Sequence, residues 1–308
     1  MLEFIGRWLC VFLLVLTSRA SHAAETFRVA TYNLENYAIE AAGNRPVKPL
    51  EARAKAREFI RALKPDVIAL QEVVGSSALA ELRSALKAEG LDFPHAELVT
   101  GWDTNIQIAV LSRLPILASH PHTNEVFLLY GRRFRVTRGF AEIDFQAGSR
   151  YKFTLFAAHL KSRRTATEAD ERDIREQEAG LLRALIDARL ARDPEANIIV
   201  AGDLNDTKDS PSTRAILGRG RNMLVDTRPA EQNGDRHHSD KPRFSPRDIT
   251  WTHFFGKEDT YSRIDYLLLS PGMAREWQAA ETYVLAAADW GLASDHRPVV
   301  AAFTAEER

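Results

Sequence analysis

The 308-residue sequence predicts an α/β fold, and three of its features carry that prediction. Apolar runs of strand length recur along the chain. Segments of helical period lie between them. A hydrophobic fraction of 45% against 27% charged residues supplies a sizeable core and excludes a disordered chain or a collagen repeat. This alternation alone suits a doubly wound sheet as well as a layered sandwich.

In chain order, strands are expected at residues 27–32, 66–70, 106–111, 134–145, 152–158, 197–201, 263–269 and 298–303. Some alternate in polarity and others are continuously apolar, as half-buried and fully buried strands should be. Helical period marks 50–63, where Phe59, Ile60 and Leu63 share one side, and 77–87, where Leu79, Leu82 and Leu86 do. The longest helix is expected at 167–190, with Ile174, Leu181, Leu182, Leu185 and Ile186 on one face and dense charge on the other. Thr167 and Asp170 resemble a capping box with Asp in the place of Glu.

The N-terminus reads as an export signal. Arg7 precedes a short apolar run from Trp8 to Leu16, and small residues follow at Ser21-His22-Ala23. The run is well below the ~20 residues that a membrane-spanning helix needs. Cleavage is expected after Ala23, with Ala20 the alternative site and an uncleaved anchor the competing reading. A signal peptide at 1–23 leaves a mature domain at 24–308, exported to the periplasm or the medium. Cleavage removes Cys10, the only cysteine, so no disulfide is expected. It also removes Arg7, Arg19 and Glu3, which moves the net charge from −1 to −2. A near-neutral balance argues against nucleic-acid binding by bulk basicity, although a local basic groove remains open. Residues 206–248 are rich in Pro, Gly, Asp, Arg and His and are read as a long surface loop within one domain.

The informative pattern is polar groups at strand ends. Asn33 follows Val29-Ala30-Thr31-Tyr32, and Glu72 follows Val67-Ile68-Ala69-Leu70-Gln71. Asp203 and Asn205 follow Ile198-Ile199-Val200-Ala201-Gly202, and Asp265 opens the run Tyr266-Leu267-Leu268-Leu269. Such groups stand at one rim of a sheet, where sites are built. Oxygen-only donors suit a hard dication, Mg²⁺ or Mn²⁺, rather than zinc or copper. His159 ends another apolar run, and His296 lies in Ser294-Asp295-His296-Arg297-Pro298 ahead of the last one. Imidazole is the natural general acid or base near neutral pH. Taken singly, each residue reads more readily as a cap, an Asx turn or a buried structural group than as a catalyst; His237-His238 read as solvated loop residues, and Trp251, Trp277 and Trp290 as packing.

As an ordered set, the blocks around Asn33, Gln71-Glu72, His159-Leu160-Lys161-Ser162, Gly202-Asp203-Leu204-Asn205, Arg263-Ile264-Asp265-Tyr266 and Ser294-Asp295-His296-Arg297-Pro298 resemble the endonuclease/exonuclease/phosphatase superfamily. That superfamily includes pancreatic deoxyribonuclease, abasic-site endonucleases, sphingomyelinases and inositol polyphosphate phosphatases. The resemblance covers about residues 27–303. It implies a four-layer α/β sandwich, two packed mixed β-sheets flanked by helices as in deoxyribonuclease I. It further implies that Glu72 binds the metal directly with Asn33 beside it, and that Asp295 is a second ligand or orienting group. By the same resemblance, Asp203 orients or deprotonates the attacking water, held by Asn205. His296 contacts the phosphate, Asp265 sets its tautomer, His159 lies near the leaving oxygen and Arg138 faces the phosphate. Arg113 reads equally well as a turn residue.

The expectation is therefore an exported, monomeric, Mg²⁺- or Mn²⁺-dependent hydrolase of phosphoric esters that uses direct water attack, with nuclease the leading specificity. A phosphodiester is anionic, so water attack needs charge neutralisation, which a dication, an arginine and an imidazolium supply. Arg132-Arg133-Phe134-Arg135, Lys161-Ser162-Arg163-Arg164 and Arg219-Gly220-Arg221 are the candidate basic strip for a nucleic acid. A sphingomyelinase-like phospholipase C, with Val126-Phe127-Leu128-Leu129-Tyr130 entering a bilayer, and a phosphomonoesterase are the alternatives within the class. A non-catalytic exported binding protein is the alternative outside it.

Overall fold

The computed structural model describes residues 25–232 and 249–306. The expected export segment and His237-His238 lie outside the described residues. Two mixed sheets form the centre of the molecule. The first has seven strands in the order Ala230–Glu231, Trp277–Val284, Val299–Ala305, Glu25–Tyr37, Val67–Val73, Gln107–Ser112 and His95–Val99. The second has six, in the order Val225–Asp226, Asp265–Leu269, Ile198–Asp203, Tyr151–His159, Phe140–Ala147 and Ile116–Ser119.

Three apolar layers hold the sandwich together. Phe27, Val29, Val67, Leu155, Ile199, Leu267 and Phe303 are buried between the sheets. Helices Leu50–Leu63 and Gly75–Ala88 cover the outer face of the first sheet through Phe59, Ile60, Leu79 and Leu82. Helix Glu171–Arg192 and the short helix Pro211–Leu217 cover the second through Ile174, Leu182, Ile186 and Ile216. Each such fully buried side chain contributes about 1.5–3 kcal/mol. The sequence pattern thus yields an α/β sandwich of two mixed sheets between helices.

Three expectations need correction. The strand expected at 134–145 is two strands, Arg132–Arg135 and Phe140–Ala147. The chain turns between them at Gly139, whose φ is +71° and where a Cβ would lie 2.7 Å from the His122 carbonyl oxygen. Arg132–Arg135 instead pairs with Val126–Leu129 in a separate ribbon. The long helix begins at Glu171 rather than near residue 167, because the Asp170 carboxylate is itself the N-cap and accepts from the Arg172 N–H at 2.8 Å. Part of the 206–248 loop is regular: Ser210 caps the helix Pro211–Leu217, and two short strands follow.

Candidate active site

Side chains alternate across a strand, and the site is the polar continuation of the rows that build the core between the sheets. Along Glu25–Tyr37, Phe27 and Val29 face the opposite sheet, and Thr31 and Asn33 extend their row to the rim. Leu155 and Ala157 lead to His159, and Ile199 and Ala201 lead to Asp203. Leu267 and Leu269 share their face with Asp265, which pairs directly with Asp203 across antiparallel strands. Gly202 allows this arrangement: at φ +141° it lies so close to the neighbouring strand that a Cβ would meet the Ala158 carbonyl oxygen at 1.9 Å.

Asp203 is the hub. Its Oδ1 accepts from the Asn205 backbone N–H at 2.8 Å, and its Oδ2 accepts from the side-chain amides of Asn33 at 3.0 Å and Asn205 at 3.2 Å. Asn33 is thereby committed to bracing Asp203, and its side-chain Oδ1 accepts from the Glu35 N–H at 3.0 Å. His159 Nε2 lies 3.5 Å from Asp203 Oδ2 and 3.9 Å from Glu72 Oε1. His296 Nδ1 lies 2.9 Å from Asp265 Oδ2, while its Nε2 is 3.8 Å from both Asp203 Oδ2 and Asp295 Oδ1. The Ser294 hydroxyl donates to the Asn33 carbonyl oxygen at 2.8 Å and accepts from the His296 N–H at 3.0 Å, tying the last loop to the first strand end.

Electrostatics divide the two imidazoles. Burial disfavours a charged His296, but Asp265 and then Asp203 outweigh it and push the ring up to about 10. For His159, burial acts together with Arg138, His296 and Arg45 and holds the ring well below its ordinary value, so it is neutral. Burial likewise pushes the Asp203 carboxyl up to about 6, opposed by His296 and reinforced by Asp265. One ring is thus a cation able to donate to an anion, and the other a neutral donor or acceptor.

Glu72 reaches the cleft by breaking the strand rule. It sits at φ +62°, where the pairing of Val67–Val73 with Gln107–Ser112 slips between Leu70 and Val73. Its Oε2 accepts from the Asn36 N–H at 3.1 Å and lies 4.0 Å from Arg45. The buried Asn36 Oδ1 has no hydrogen-bond partner. A carboxylate and an unpartnered amide oxygen on the residue whose N–H holds it are the donor chemistry a hard dication takes, so the residues present fit Mg²⁺ or Mn²⁺. Glu72 belongs to neither of the two triads of acids and histidines whose ligand atoms approach within 4.8 Å among the described residues; these are Asp203-Asp265-His296 and His253-Asp295-His296.

These groups open into one cleft of about 930 Å³, lined by Glu72, Arg138, His159, Asp203, Asn205, Asp295 and His296. Arg138 is buried there, donating from Nη1 to the Leu160 carbonyl oxygen at 2.7 Å, while its Nε has no partner. Asn33 and Asp265 support the floor from beneath. Arg113 instead pairs with Asp66 at 3.1 Å, in keeping with a turn role. Sequence reasoning missed Glu35, Asn36, Arg45, Lys48 and His253. Glu35 and Asn36 follow Asn33 with φ values of +46° and +57°, a bulge that sequence does not announce. Buried Lys48 donates to the Glu35 carbonyl oxygen at 3.0 Å. His253 Nε2 lies 3.6 Å from Asp295 Oδ2.

The model of the Endonuclease/Exonuclease/phosphatase family matches residues 30–296, which spans every one of these groups. The chain belongs to the endonuclease/exonuclease/phosphatase family. It is accordingly a hydrolase acting on phosphoester bonds, with a buried His/Asp cluster at its centre. No curated protein matches the chain in sequence. Solved structures of similar fold include sphingomyelinase C from Streptomyces griseocarneus, 20% identical over 91% of this chain and 100% of that one, with a TM-score of 0.61. Truncated TDP2 from Caenorhabditis elegans is 17% identical over 91% and 98% of the two chains, with a TM-score of 0.60. The human Nocturnin catalytic domain is 17% identical over 91% and 94%, with a TM-score of 0.61. At these identities, the likeness of this family member to them is one of fold.

Proposed function

We propose that this family member is an exported, Mg²⁺- or Mn²⁺-dependent phosphodiesterase that attacks its substrate directly with water, acting as a monomer and with nucleic acid as the leading substrate. The observation that carries the reading is the Asp203–His296–Asp265 cluster, buried at the floor of an open cleft. Glu72, held by the Asn36 N–H, would hold the dication, and Asp295 Oδ1 lies 3.8 Å from His296 Nε2. When bound, the ion supplies charge neutralisation and acidifies water.

The chain's own residues do the rest. Asp203, fixed by Asn33 and Asn205, orients the water and takes its proton. His296, held in one tautomer by Asp265, donates from Nε2 to a phosphate oxygen as negative charge develops. Neutral His159 and the Arg138 guanidinium stand beside that position for the leaving oxygen and the phosphate. Among the described residues no serine or cysteine side chain is hydrogen-bonded to the His296 ring, whose Nδ1 partner is Asp265, and the Ser294 hydroxyl meets His296 only at its backbone N–H, which favours direct attack over a covalent phospho-enzyme.

Arg163 and Arg164 line the cleft and support a nucleic-acid strand, whereas Arg219 and Arg221 do not reach it. A phospholipid substrate is the second reading, favoured by the ribbon Val126–Leu129/Arg132–Arg135, where Leu128 is 70% and Tyr130 65% exposed. Among the described residues no helix is long and apolar enough to cross a membrane. The test is Mg²⁺-dependent turnover on plasmid DNA, RNA, sphingomyelin vesicles and a bis-aryl phosphate. Turnover of a nucleic acid supports the leading reading, turnover of sphingomyelin alone the second, and none with folded protein refutes both.

A further inference from the structure

His253, Asp295 and His296 form a cluster that hydrolysis does not require in full. His253 Nε2 is 3.6 Å from Asp295 Oδ2, and His296 Nε2 is 3.8 Å from Asp295 Oδ1. All three groups place a ligand atom within 4.8 Å of the others. Ligand atoms at about 2.0–2.2 Å from a tetrahedral zinc stand roughly 3.3–3.6 Å apart, so small side-chain movements convert this cluster into a coordination shell.

The backbone holds the three together. His253 and His296 form an isolated antiparallel bridge, the Phe254 N–H donates to the Asp295 carbonyl oxygen at 3.0 Å, and the Arg297 N–H donates to the Thr252 carbonyl oxygen at 2.6 Å. Their rings lie side by side, with centroids 4.5 Å apart. His296 also has the support a metal-bound imidazole needs, because its Nδ1 is engaged by Asp265 at 2.9 Å, leaving Nε2 as the ligand atom. Two imidazole nitrogens and one carboxylate oxygen suit a borderline dication such as Zn²⁺, whereas Mg²⁺ prefers oxygen alone.

We propose that His253, Asp295 and His296 form a zinc site whose occupation silences the enzyme. Zn²⁺ takes the place of the proton on His296 Nε2, which leaves to solvent, and the ring then has nothing to donate to phosphate. The hydrolytic dication, on the oxygen donors around Glu72, is a different ion at a different place. The binding half stands without the proposed function; the silencing half rests on it.

The test is calorimetric titration of the full chain with Zn²⁺ in excess Mg²⁺, with the ring nitrogens of labelled histidine followed by NMR. One equivalent should bind, with His296 Nε2 shifted to a metal-bound position. His253→Gln should weaken binding at least about 100-fold, beyond the 10–100-fold that loss of a group supporting a ligand costs. The zinc concentration that halves hydrolysis should rise by the same factor, each protein being scaled to its own zinc-free rate. Should His253→Gln fail to fold, as read by circular dichroism, Asp295→Asn gives the same comparison. Unchanged zinc affinity in the folded variant, or an unmoved His296 Nε2, overturns the site. Stoichiometric binding that leaves hydrolysis at full rate overturns the silencing. A chain that hydrolyses nothing yet binds zinc through His253 upholds the site and refutes only the proposed function.

Discussion

Asp203 and Asp265 face each other on neighbouring antiparallel strands, each only 1% exposed, and the His296 ring links their carboxylates. Two buried anions at adjacent positions repel, and a cation between them is the arrangement that makes both tolerable. His296 should therefore be charged at neutral pH in chelated, metal-free protein. Its value of about 10 lies above the ordinary 6.5, so its ion pair stabilises the fold fully below pH 6.5 and is lost as pH rises through about 10. An NMR titration should show the ring losing its proton near the upper value, and Asp265→Asn should bring that midpoint down toward the ordinary one. A wild-type ring already neutral at pH 7 contradicts the pairing.

The same pair should act as a unit in catalysis. His296→Ala should lower turnover roughly 10²–10⁴-fold, as loss of a positioned proton donor does. Asp265→Asn should cost a substantial part of that, and adding it to His296→Ala should cost little more. If the two losses multiply in steady-state assays of the double variant, the residues act independently.

Metal dependence should trace to Glu72. Chelator should abolish activity, Mg²⁺ or Mn²⁺ should restore it, and Glu72→Gln should raise the concentration of metal needed by roughly 10-fold or more. His296→Ala should move that concentration far less. Full activity in excess chelator would contradict the assignment.

Gly202→Ala tests the scaffold under Asp203. A Cβ at 1.9 Å from the Ala158 carbonyl oxygen, at a φ of +141°, forces the two parallel strands apart. We expect a loss of about 1–3 kcal/mol in urea unfolding, the range of strained or overpacked core changes. A loss below about 0.5 kcal/mol would show that the strands adjust freely.

Much of the site was legible because strand periodicity is local. Alternation along 27–33 and 198–203 carries Asn33 and Asp203 onto the row that ends the core between the sheets, and the same holds for His159 and Asp265. What was not legible depends on backbone departures or on distant chain. Glu35 and Asn36 take left-handed φ values in a bulge after Asn33, and Glu72, although named from its strand end, takes a left-handed φ of its own that the run before it does not announce. His253 gained its neighbours through a bridge to His296, 43 positions along the chain and fixed by tertiary packing. The break in the strand expected at 134–145 rests on Gly139 meeting the His122 carbonyl, another contact between separate segments.

The central claim is that these strand ends compose one hydrolytic site, and the turnover of Asp203→Asn tests it most directly. The variant keeps the shape of the hub and replaces the carboxylate that orients and deprotonates water. With Mg²⁺ saturating and the fold verified by circular dichroism, kcat on whichever phosphodiester the wild-type protein cleaves should fall roughly 10²–10⁴-fold. A variant that retains wild-type kcat would show that hydrolysis takes place without Asp203, and the assigned site would be wrong.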